Sequence, residues 1–313
     1  MARMRRRRQQ GAAIISAMLV VALAATVVSA MYWREHVAVR SIENRLALAQ
    51  TRWIERAVLD WARVILANDA RSGEVDHFGE TWAVPVADTR LDETVTAGAK
   101  IADPSRSAML AGQMIDAQAR LNLNSLVAAN GAPVQPQIDA LRKLLTLLGQ
   151  PESFADTVLA RVRKANPPRS GPEAAAPTAL PLTRLADLLE LPGIDAEALR
   201  AIEPFVVVLP ANTRINVNTA PAEVLAAAIA DLELSAARRF VARREGVATG
   251  FRTLDEAKRE LDGTPVLDPQ LLHVGSQFFL VRGMVRYDRV ESQTETLLQR
   301  EGGRVSVIWQ HRY

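Results

Sequence analysis

The chain has 313 residues, 49% of them hydrophobic, which is enough to bury one or two sizeable cores and excludes a disordered tail. Its formal net charge is +3, but five of the 38 basic residues precede Gly11, which leaves 33 basic against 35 acidic residues. This nearly neutral body argues against nucleic-acid binding, which needs clustered positive charge. The absence of cysteine excludes disulfides and thiol chemistry. The four histidines are not spaced as metal ligands usually are, and they are His36, His77, His273 and His311.

The N-terminal segment predicts one membrane-spanning helix. Residues Gly11 to Trp33 carry no charge over 23 positions, and such a helix is about 35 Å long, enough to cross a bilayer. Arginines cluster before this run, whereas the mixed pair Arg34 and Glu35 follows it. The positive-inside rule therefore predicts a cytoplasmic N-terminus and a body on the other side of the membrane.

Three interpretations of this segment stay open. It can be an uncleaved anchor, or a secretory signal cleaved after the small residues Val28-Ser29-Ala30, which would leave Met31 at the N-terminus. In the third interpretation, cleavage between Gly11 and Ala12 removes the basic leader and keeps the apolar helix. The mature N-terminus, which is Met1, Ala12 or Met31, decides between them.

The helical pattern continues beyond the membrane segment and predicts one helix over residues 12–68, ended by Asn68, Asp69, Ser72 and Gly73. Its apolar positions recur at threes and fours and are Val39, Ile42, Leu46, Ala49, Trp53, Ala57, Trp61 and Ile65. The opposite face carries Arg45, Arg52, Glu55, Arg56 and Arg63. We expect the part of the stripe that bears Trp53, Ala57, Trp61 and Ile65 to pack on a sheet.

The next segment changes to a strand pattern. Residues Thr94–Ile101 and Ser107–Ile115 predict a hairpin that turns at Asp103, Pro104 and Ser105. In the following run Asp116–Leu126, asparagines at 122 and 124 are expected to cap the structure that follows the strand.

Residues 133–268 predict mainly helices, with apolar stripes over 138–148, closed by Gly149, and over 154–162. The proline-rich run 166–181 predicts an exposed loop, and residues 182–190 predict a short helix. In Ile215–Ile229, Asn218 or Thr219 is expected to cap a helix that begins near Pro221 and Glu223.

The strand pattern returns at Gln277, in the three segments 277–290, 295–300 and 304–310. About 150 mainly helical residues thus interrupt a sheet, which is typical of a domain inserted into a parent domain.

The basic leader, the glycine and the retained apolar helix resemble the type IV prepilin family. That family normally has phenylalanine after the glycine and glutamate at the fifth mature position, where this chain has Ala12 and Ser16. The missing glutamate, the segment NVNTAPAEVL and the interrupted sheet together resemble the minor pseudopilin K family of type II secretion systems over essentially the whole chain. The resemblance implies cleavage by a prepilin peptidase between Gly11 and Ala12, with Ser16 at mature position five.

The resemblance also implies an α+β fold, in which a long N-terminal transmembrane and amphipathic helix packs on a small antiparallel, pilin-like sheet with a large all-α domain inserted in it. The implied division is a leader at 1–11, a transmembrane helix at 12–33, a pilin-like domain at 34–121 and 276–313, and an inserted domain with helix-hairpin-helix-like elements at 122–275.

The implied function is that of a structural subunit at the tip of a periplasmic pseudopilus, anchored in the bacterial inner membrane by a single span. Such a subunit supports pseudopilus assembly and the export of folded proteins across the outer membrane. Implied partners are other minor pseudopilins, the major pseudopilin, the prepilin peptidase and the inner-membrane assembly platform, with no nucleic acid among them.

An alternative is a membrane-anchored extracytoplasmic DNA receptor of a DNA-uptake system, because LPGI at 191–194 and NVNTAPAEVL resemble helix-hairpin-helix modules. Such modules hold a phosphate at a glycine-rich hairpin, but Asp195 stands where a second glycine is usual. The best positive feature is an arginine cluster, which we expect to form a solvated helix face and which consists of Arg238, Arg239, Arg243 and Arg244.

The sequence predicts no enzyme, because it has no nucleophile elbow, phosphate loop or metal-ligand cluster. No cofactor is certain. Since pseudopilins of the resembling family sometimes hold calcium, acidic side chains within Asp255–Asp268, or in the loops near Asp103 and Asp116, are candidate ligands, and the sequence does not choose between them.

Overall fold

The computed structural model describes residues 3–91, 108–168, 174–247, 249–263 and 265–313, with residues 3–11 and Leu91 as backbone alone. A single helix, α1, extends from Arg3 to Ser72. The prediction of one helix over residues 12–68 is confirmed, and the helix ends within the predicted terminator. It begins earlier than predicted, inside the basic leader.

The main sheet has five antiparallel strands, in which the first two strands of the chain lie at one side and the three C-terminal strands follow them in chain order. Its first two strands are β1 (Val86–Leu91) and β2 (Ala108–Asp116), so the predicted strand Ser107–Ile115 is confirmed within about one residue. The predicted partner Thr94–Ile101 and the turn at Asp103 lie outside the described residues. Among the described residues, β2 pairs instead with β1, a strand that the sequence did not predict.

The three C-terminal strands are confirmed, with different boundaries. They are β7 (Phe278–Tyr287), β8 (Val290–Glu301) and β9 (Arg304–Arg312), and β8 begins five residues before the predicted 295–300. The chain reverses earlier than predicted because Asp288 adopts a left-handed conformation, with φ 56°, which aspartate tolerates better than most residues.

The segment between β2 and β7 carries six helices among the described residues: α2 (Gln135–Leu147), α3 (Ser153–Ala165), α4 (Ala196–Ile202), α5 (Ala222–Ala228), α6 (Leu234–Glu245) and α7 (Leu254–Arg259). Their apolar faces form one core that includes Leu144, Val158, Leu225 and Phe240. The predicted short helix is a 3-10 helix at Leu185–Glu190, and the described part of the proline-rich run has neither helix nor strand.

The all-α description of this segment is wrong in one respect, because the segment also contains two short parallel strand pairs. The pairs are β3 (Leu121–Asn122) with β4 (Val206–Val207), and β5 (Ile215–Asn216) with β6 (Leu272–His273). At two residues each, these strands are too short for a period-two pattern to reveal them.

The sheet lies between α1 and the inserted segment. On one face, Phe279 and Leu298 pack with Leu66 of the helix and with Trp82, whose ring meets Phe279 edge-on at 5.2 Å between centroids. On the other face, Phe278 and further apolar strand residues pack with Ala117, which directly follows β2, and with Leu209 of the inserted segment.

The face of α1 that packs on the sheet differs from the predicted stripe. Ile65 is half-buried, but Trp53, Ala57 and Trp61 are exposed. The buried positions are instead Ala47, Thr51, Glu55, Ala62 and Leu66. Because most of these side chains are small, the helix axis can approach the sheet closely, whereas two indole rings would hold it away.

Candidate membrane anchor and assembly surface

The first half of α1 is exposed along its whole length. Every side chain from Ala12 to Ile42 is accessible, so the described chain supplies no core for this apolar run. Among the described residues, α1 is the one helix long and apolar enough to cross a membrane. An apolar surface of this size indicates contact with lipid or with another protein.

The predicted processing residues lie one after another within this helix. Gly11 and Ala12 both have helical backbone, and the Ser16 hydroxyl donates a hydrogen bond of 2.9 Å to the carbonyl oxygen of Ala12, one turn earlier. The only polar group that Ser16 adds is therefore satisfied inside the helix. The cleavage between Gly11 and Ala12 stays a prediction.

The second half of α1 carries large apolar side chains on its outward face. Leu46, Trp53, Trp61 and Val64 are all about half exposed or more, although this part of the helix packs on the sheet through its other face. We call these four residues the outward stripe. Tryptophans are enriched where proteins contact each other, so the outward stripe is a candidate assembly surface.

A buried polar cluster joins the end of α1, the sheet and the inserted segment. The Arg300 guanidinium donates through Nη2 to both carboxylate oxygens of Asp76, at 2.7 and 2.6 Å, and through Nη1 to Asp69 at 2.5 Å. The backbone N–H of Ser276 also donates to Asp76, at 2.7 Å. A buried carboxylate needs such donors because it has lost its contact with water.

Asp116, at the end of β2, receives four hydrogen bonds from the inserted segment and its flanks. Its donors are the hydroxyls of Thr219 and Ser276, at 2.6 and 2.7 Å, the Asn216 amide at 2.9 Å and the Gln118 backbone N–H at 2.8 Å. These bonds fix the two points at which the chain leaves and re-enters the sheet.

The asparagines of this region do not all act as predicted. Asn122 accepts from the Asn124 N–H and so caps the turn that follows β3, as expected. Asn218 and Thr219 do not cap α5, whose N-cap is Pro221. Instead Asn218 binds the Phe251 backbone, and Thr219 binds Asp116. Long-range partners of this kind cannot be read from local spacing.

Burial shifts the ionisation of the acids in the cluster. It raises the pKa of Asp76 to about 7, against the opposing effect of Arg300, and it also raises the pKa of Asp116. Burial raises the pKa of Glu80 too, although the Trp82 indole N–H donates to that carboxylate at 2.6 Å.

The cluster of three carboxylates near the end of α1 does not fit a calcium site. Oxygens of Asp69, Asp76 and Glu80 lie within 4.8 Å of one another, but Arg300 donates to the first two, and Glu80 accepts from the Trp82 indole and the His77 N–H. The guanidinium thus supplies the positive charge that an ion would bring. Of the other predicted candidates, Asp116 is fully engaged, and the loop of Asp103 lies outside the described residues.

The arginine cluster of α6 is paired rather than available to a phosphate backbone. Arg239 and Arg243 bind Asp262 at 2.8 and 3.1 Å, so this acid of the 255–268 region serves an ion pair. Arg238 lies 3.3 Å from Glu223. Arg244 is buried, contrary to the expected solvated position, because its Nη1 donates to backbone carbonyls beneath the helix.

Asp195 also opposes phosphate binding. Its carboxylate accepts hydrogen bonds from the backbone N–H groups of Glu197 and Ala198, at 3.0 and 2.8 Å. These are the N–H groups at the start of α4 that a phosphate would need, and a carboxylate already occupies them.

Comparison with known proteins finds two adjacent family matches within the segment between β2 and β7. Residues 119–211 match one model and residues 215–273 match another, both described as type II secretion system protein K. The type II secretion system protein K of Pseudomonas aeruginosa is 29% identical, over 92% of this chain and 88% of its own length. The protein of the same name from Pectobacterium carotovorum is 27% identical, over 92% and 91%.

Among solved structures, a chain of the GspK-GspI-GspJ complex from the type 2 secretion system of enterotoxigenic Escherichia coli has a similar fold. It superposes with a TM-score of 0.65 at 19% identity, and covers 87% of this chain and 98% of its own. At this identity, the likeness concerns the fold alone.

Proposed function

Because the chain belongs to the protein K family of type II secretion systems, we propose that it is a minor pseudopilin, a structural subunit that assembles into a periplasmic pseudopilus and supports protein export. The observation that carries this proposal is the continuity of α1. One helix has an exposed apolar first half and a second half that packs on a five-stranded sheet. A subunit of this shape can be anchored in a membrane by α1 and can later use the same helix to pack against the helices of other subunits.

The topology follows from charge. The arginines that precede Gly11 favour a cytoplasmic N-terminus, so the sheet and the inserted segment face the periplasm, with the inner membrane crossed once at 12–33. The proposed division is a pilin-like domain at 34–121 and 276–313, interrupted by a mainly helical domain at 122–275. The pairing of β2 with β7 supports this division, because it closes one sheet across the insertion.

We place the subunit at the tip of the pseudopilus. A glutamate at mature position five can pair with the N-terminal amine of a neighbour in apolar surroundings, where unpaired charge is costly. Ser16 has no charge, and its hydroxyl is engaged with Ala12. The chain therefore gains less than other subunits from a place inside a repeating array. An inserted segment of about 150 residues would also crowd the next turn if it projected from every shaft subunit.

The proposed partners are the other minor pseudopilins, contacted through α1 and the sheet. The crystallised complex with a similar fold contains GspK, GspI and GspJ, which supports an assembly of this kind. The major pseudopilin, the prepilin peptidase and the assembly platform are the remaining expected contacts. The role is structural rather than enzymatic.

Mass determination of the mature N-terminus tests the proposal. We expect Ala12 as first residue, because the helix must be retained for assembly. Gly11→Leu should block this shortening, since a peptidase that fits the chain closely at glycine has no space for a side chain. Ala13→Leu is the matched control, which keeps Gly11 and should still be processed. A Gly11→Leu chain that still loses 11 residues contradicts the assigned site, and a mature chain that begins at Met31 contradicts the retained helix.

A further inference from the structure

Arg244, at the C-terminal end of α6, is a buried cation without a buried acid beside it. Its side chain is 6% exposed, and Nη1 donates to the carbonyl oxygens of Val217 and Ala220 at 2.7 and 2.8 Å. Within the described part of the chain, the buried Nε has no acceptor and Nη2 makes no hydrogen bond. Burial lowers the pKa of Arg244 to about 10, so the side chain stays charged at neutral pH.

This guanidinium lines a cavity of about 200 Å³ between the loop that follows α1 and the end of α6. The Phe78 ring lies at its mouth, 56% exposed, with its centroid 5.7 Å from the Arg244 Cζ. Gly250 closes another wall so tightly that a Cβ there would come within 2.7 Å of the His77 side chain. Two segments distant in sequence thus shape the cavity.

The chemistry of the cavity favours a monoanion. Nε is fully buried, so Nη2 is the guanidinium nitrogen that remains for an anion in the cavity, and the bonds of Nη1 hold the guanidinium in place. Burial lowers the pKa of His77, so Arg244 is the one charged cation among the described lining residues. Glu245 also lines the cavity, and its charge would oppose a dianion such as phosphate more than a carboxylate.

We propose that the Arg244 cavity binds a carboxylate carried by another polypeptide, an acidic side chain that enters beside Phe78. The exposed aromatic ring favours a protein-borne carboxylate over a free ion, because it offers apolar contact to the chain that carries the acid. The proposal concerns a contact site separate from α1 and does not depend on the pseudopilus assignment.

The test is a titration of the full chain in detergent micelles, followed by the NMR signals of the Gly79 and Gly250 amides, which line the cavity. The probes are the capped tripeptides Gly-Glu-Gly and Gly-Gln-Gly, which differ in the carboxylate alone, together with sodium acetate and sodium phosphate at matched ionic strength. We expect saturable shifts with the glutamate peptide, weaker binding of acetate, and no saturable response to the glutamine peptide.

Three variants distinguish a change in peptide binding from a loss of the folded structure. Arg244→Lys keeps the charge but loses the Nη2 donor that the bonds of Nη1 hold in place, and should weaken binding of the glutamate peptide about tenfold. Arg238→Lys, at an exposed arginine of the same helix, should leave the affinity unchanged. Glu245→Gln should tighten binding, and because Glu245 is exposed this variant is informative even if Arg244→Lys does not fold.

Three results would overturn the proposal: equal affinity for the two tripeptides, a response to phosphate but not to acetate, or a response to acetate but to neither peptide.

Discussion

Arg300 of β8 and Asp76 of the loop after α1 form a buried ion pair across 224 residues of sequence, with one guanidinium nitrogen 2.7 and 2.6 Å from the two carboxylate oxygens. The side chains are 7% and 0% exposed. The guanidinium also lies over the Phe279 ring, 4.9 Å from its centroid. This pair connects the end of the long helix to the sheet that the helix packs on.

Replacing Arg300 should be strongly destabilising. Arg300→Met leaves two acids, Asp76 and Asp69, without their cation, and removal of one partner of a buried pair costs about 3–5 kcal/mol of unfolding free energy. Urea unfolding of the full chain in detergent, followed by tryptophan fluorescence, measures this cost. Arg289→Met, at an exposed arginine 3.4 Å from Glu43, is the control and should change the free energy by less than about 0.5 kcal/mol. Equal losses in both variants would contradict the role given to the buried pair.

Stability should also depend on pH through Asp76. Its pKa rises from 3.8 in the unfolded chain to about 7 in the fold, so the folded state binds the proton more tightly. This contribution is complete below about pH 4 and is lost as the pH rises to about 7. The wild type should therefore lose stability relative to Asp76→Asn over that range, and the difference should be constant above it. The urea midpoints of both chains, measured at intervals of one pH unit, give this difference in stability. A wild type that becomes more stable relative to Asp76→Asn as the pH rises would contradict the prediction.

The sequence predicts the parts of the fold in which apolar residues repeat many times with one spacing. It misses the parts that depend on contacts between distant residues. The helical stripes over 138–148 and 154–162 and the C-terminal strands are present because many apolar side chains repeat with one spacing. The orientation of α1 was predicted wrongly, since hydropathy alone gives most weight to Trp53 and Trp61. The true contact face is marked by small residues, whose importance lies in how closely two backbones can approach.

The candidate sites divide in the same way, into those with a local sequence signal and those that depend on distant contacts. Gly11, Ala12 and Ser16 are candidates that the sequence offers through a local signal, and their role in processing stays a prediction. The contacts of Asp76, Asp116 and Arg300 could not be predicted, because most of their partners are tens to hundreds of residues away. An aspartate at a strand end carries no local sign that a distant threonine and serine will bind it.

Two tryptophans test the corrected packing of the helix. Trp82 is 0% exposed and lies against Phe279, so Trp82→Ala should cost about 3–5 kcal/mol of unfolding free energy. Trp61 is 51% exposed, and Trp61→Ala should cost less than about 1 kcal/mol in the isolated chain. Urea unfolding of the two variants side by side measures both. A larger loss for Trp61→Ala would restore the original prediction that this ring packs on the sheet.

Glu55 of α1 and Arg312 of β9 form an ion pair, and replacing the one or the other should lower the free energy of unfolding by different amounts. Glu55 is 3% exposed and Arg312 46%. Arg312→Ala leaves a buried carboxylate without its cation and should cost about 3 kcal/mol. Glu55→Gln leaves an arginine that can turn to water, and should cost about 1 kcal/mol. Thermal or urea unfolding gives the order, and a larger loss for Glu55→Gln would show that the carboxylate is not held as described.

Cross-linking tests where the chain sits in an assembly. Val39 and Leu46 are 54% and 59% exposed, whereas Ala47, next to Leu46, is 3% exposed against the sheet. Because the chain has no cysteine, a cysteine placed at any of these positions is unique. In cells that make the whole secretion system, Val39→Cys and Leu46→Cys should capture other minor pseudopilins bearing matching cysteines, in near one-to-one yield, and Ala47→Cys should capture none.

The pattern of cross-linked products distinguishes a subunit at the tip from a subunit in the shaft. A terminal subunit has neighbours on one side, so each molecule forms one cross-link to a different protein and the series stops there. A shaft subunit meets copies of itself repeatedly, and its cross-links build a ladder. A single heterologous product therefore supports the tip position, and a ladder of this chain linked to itself contradicts it. Equal capture through Ala47→Cys would mean that α1 separates from the sheet on assembly, because that side chain is accessible only if the small-residue face of the helix comes away.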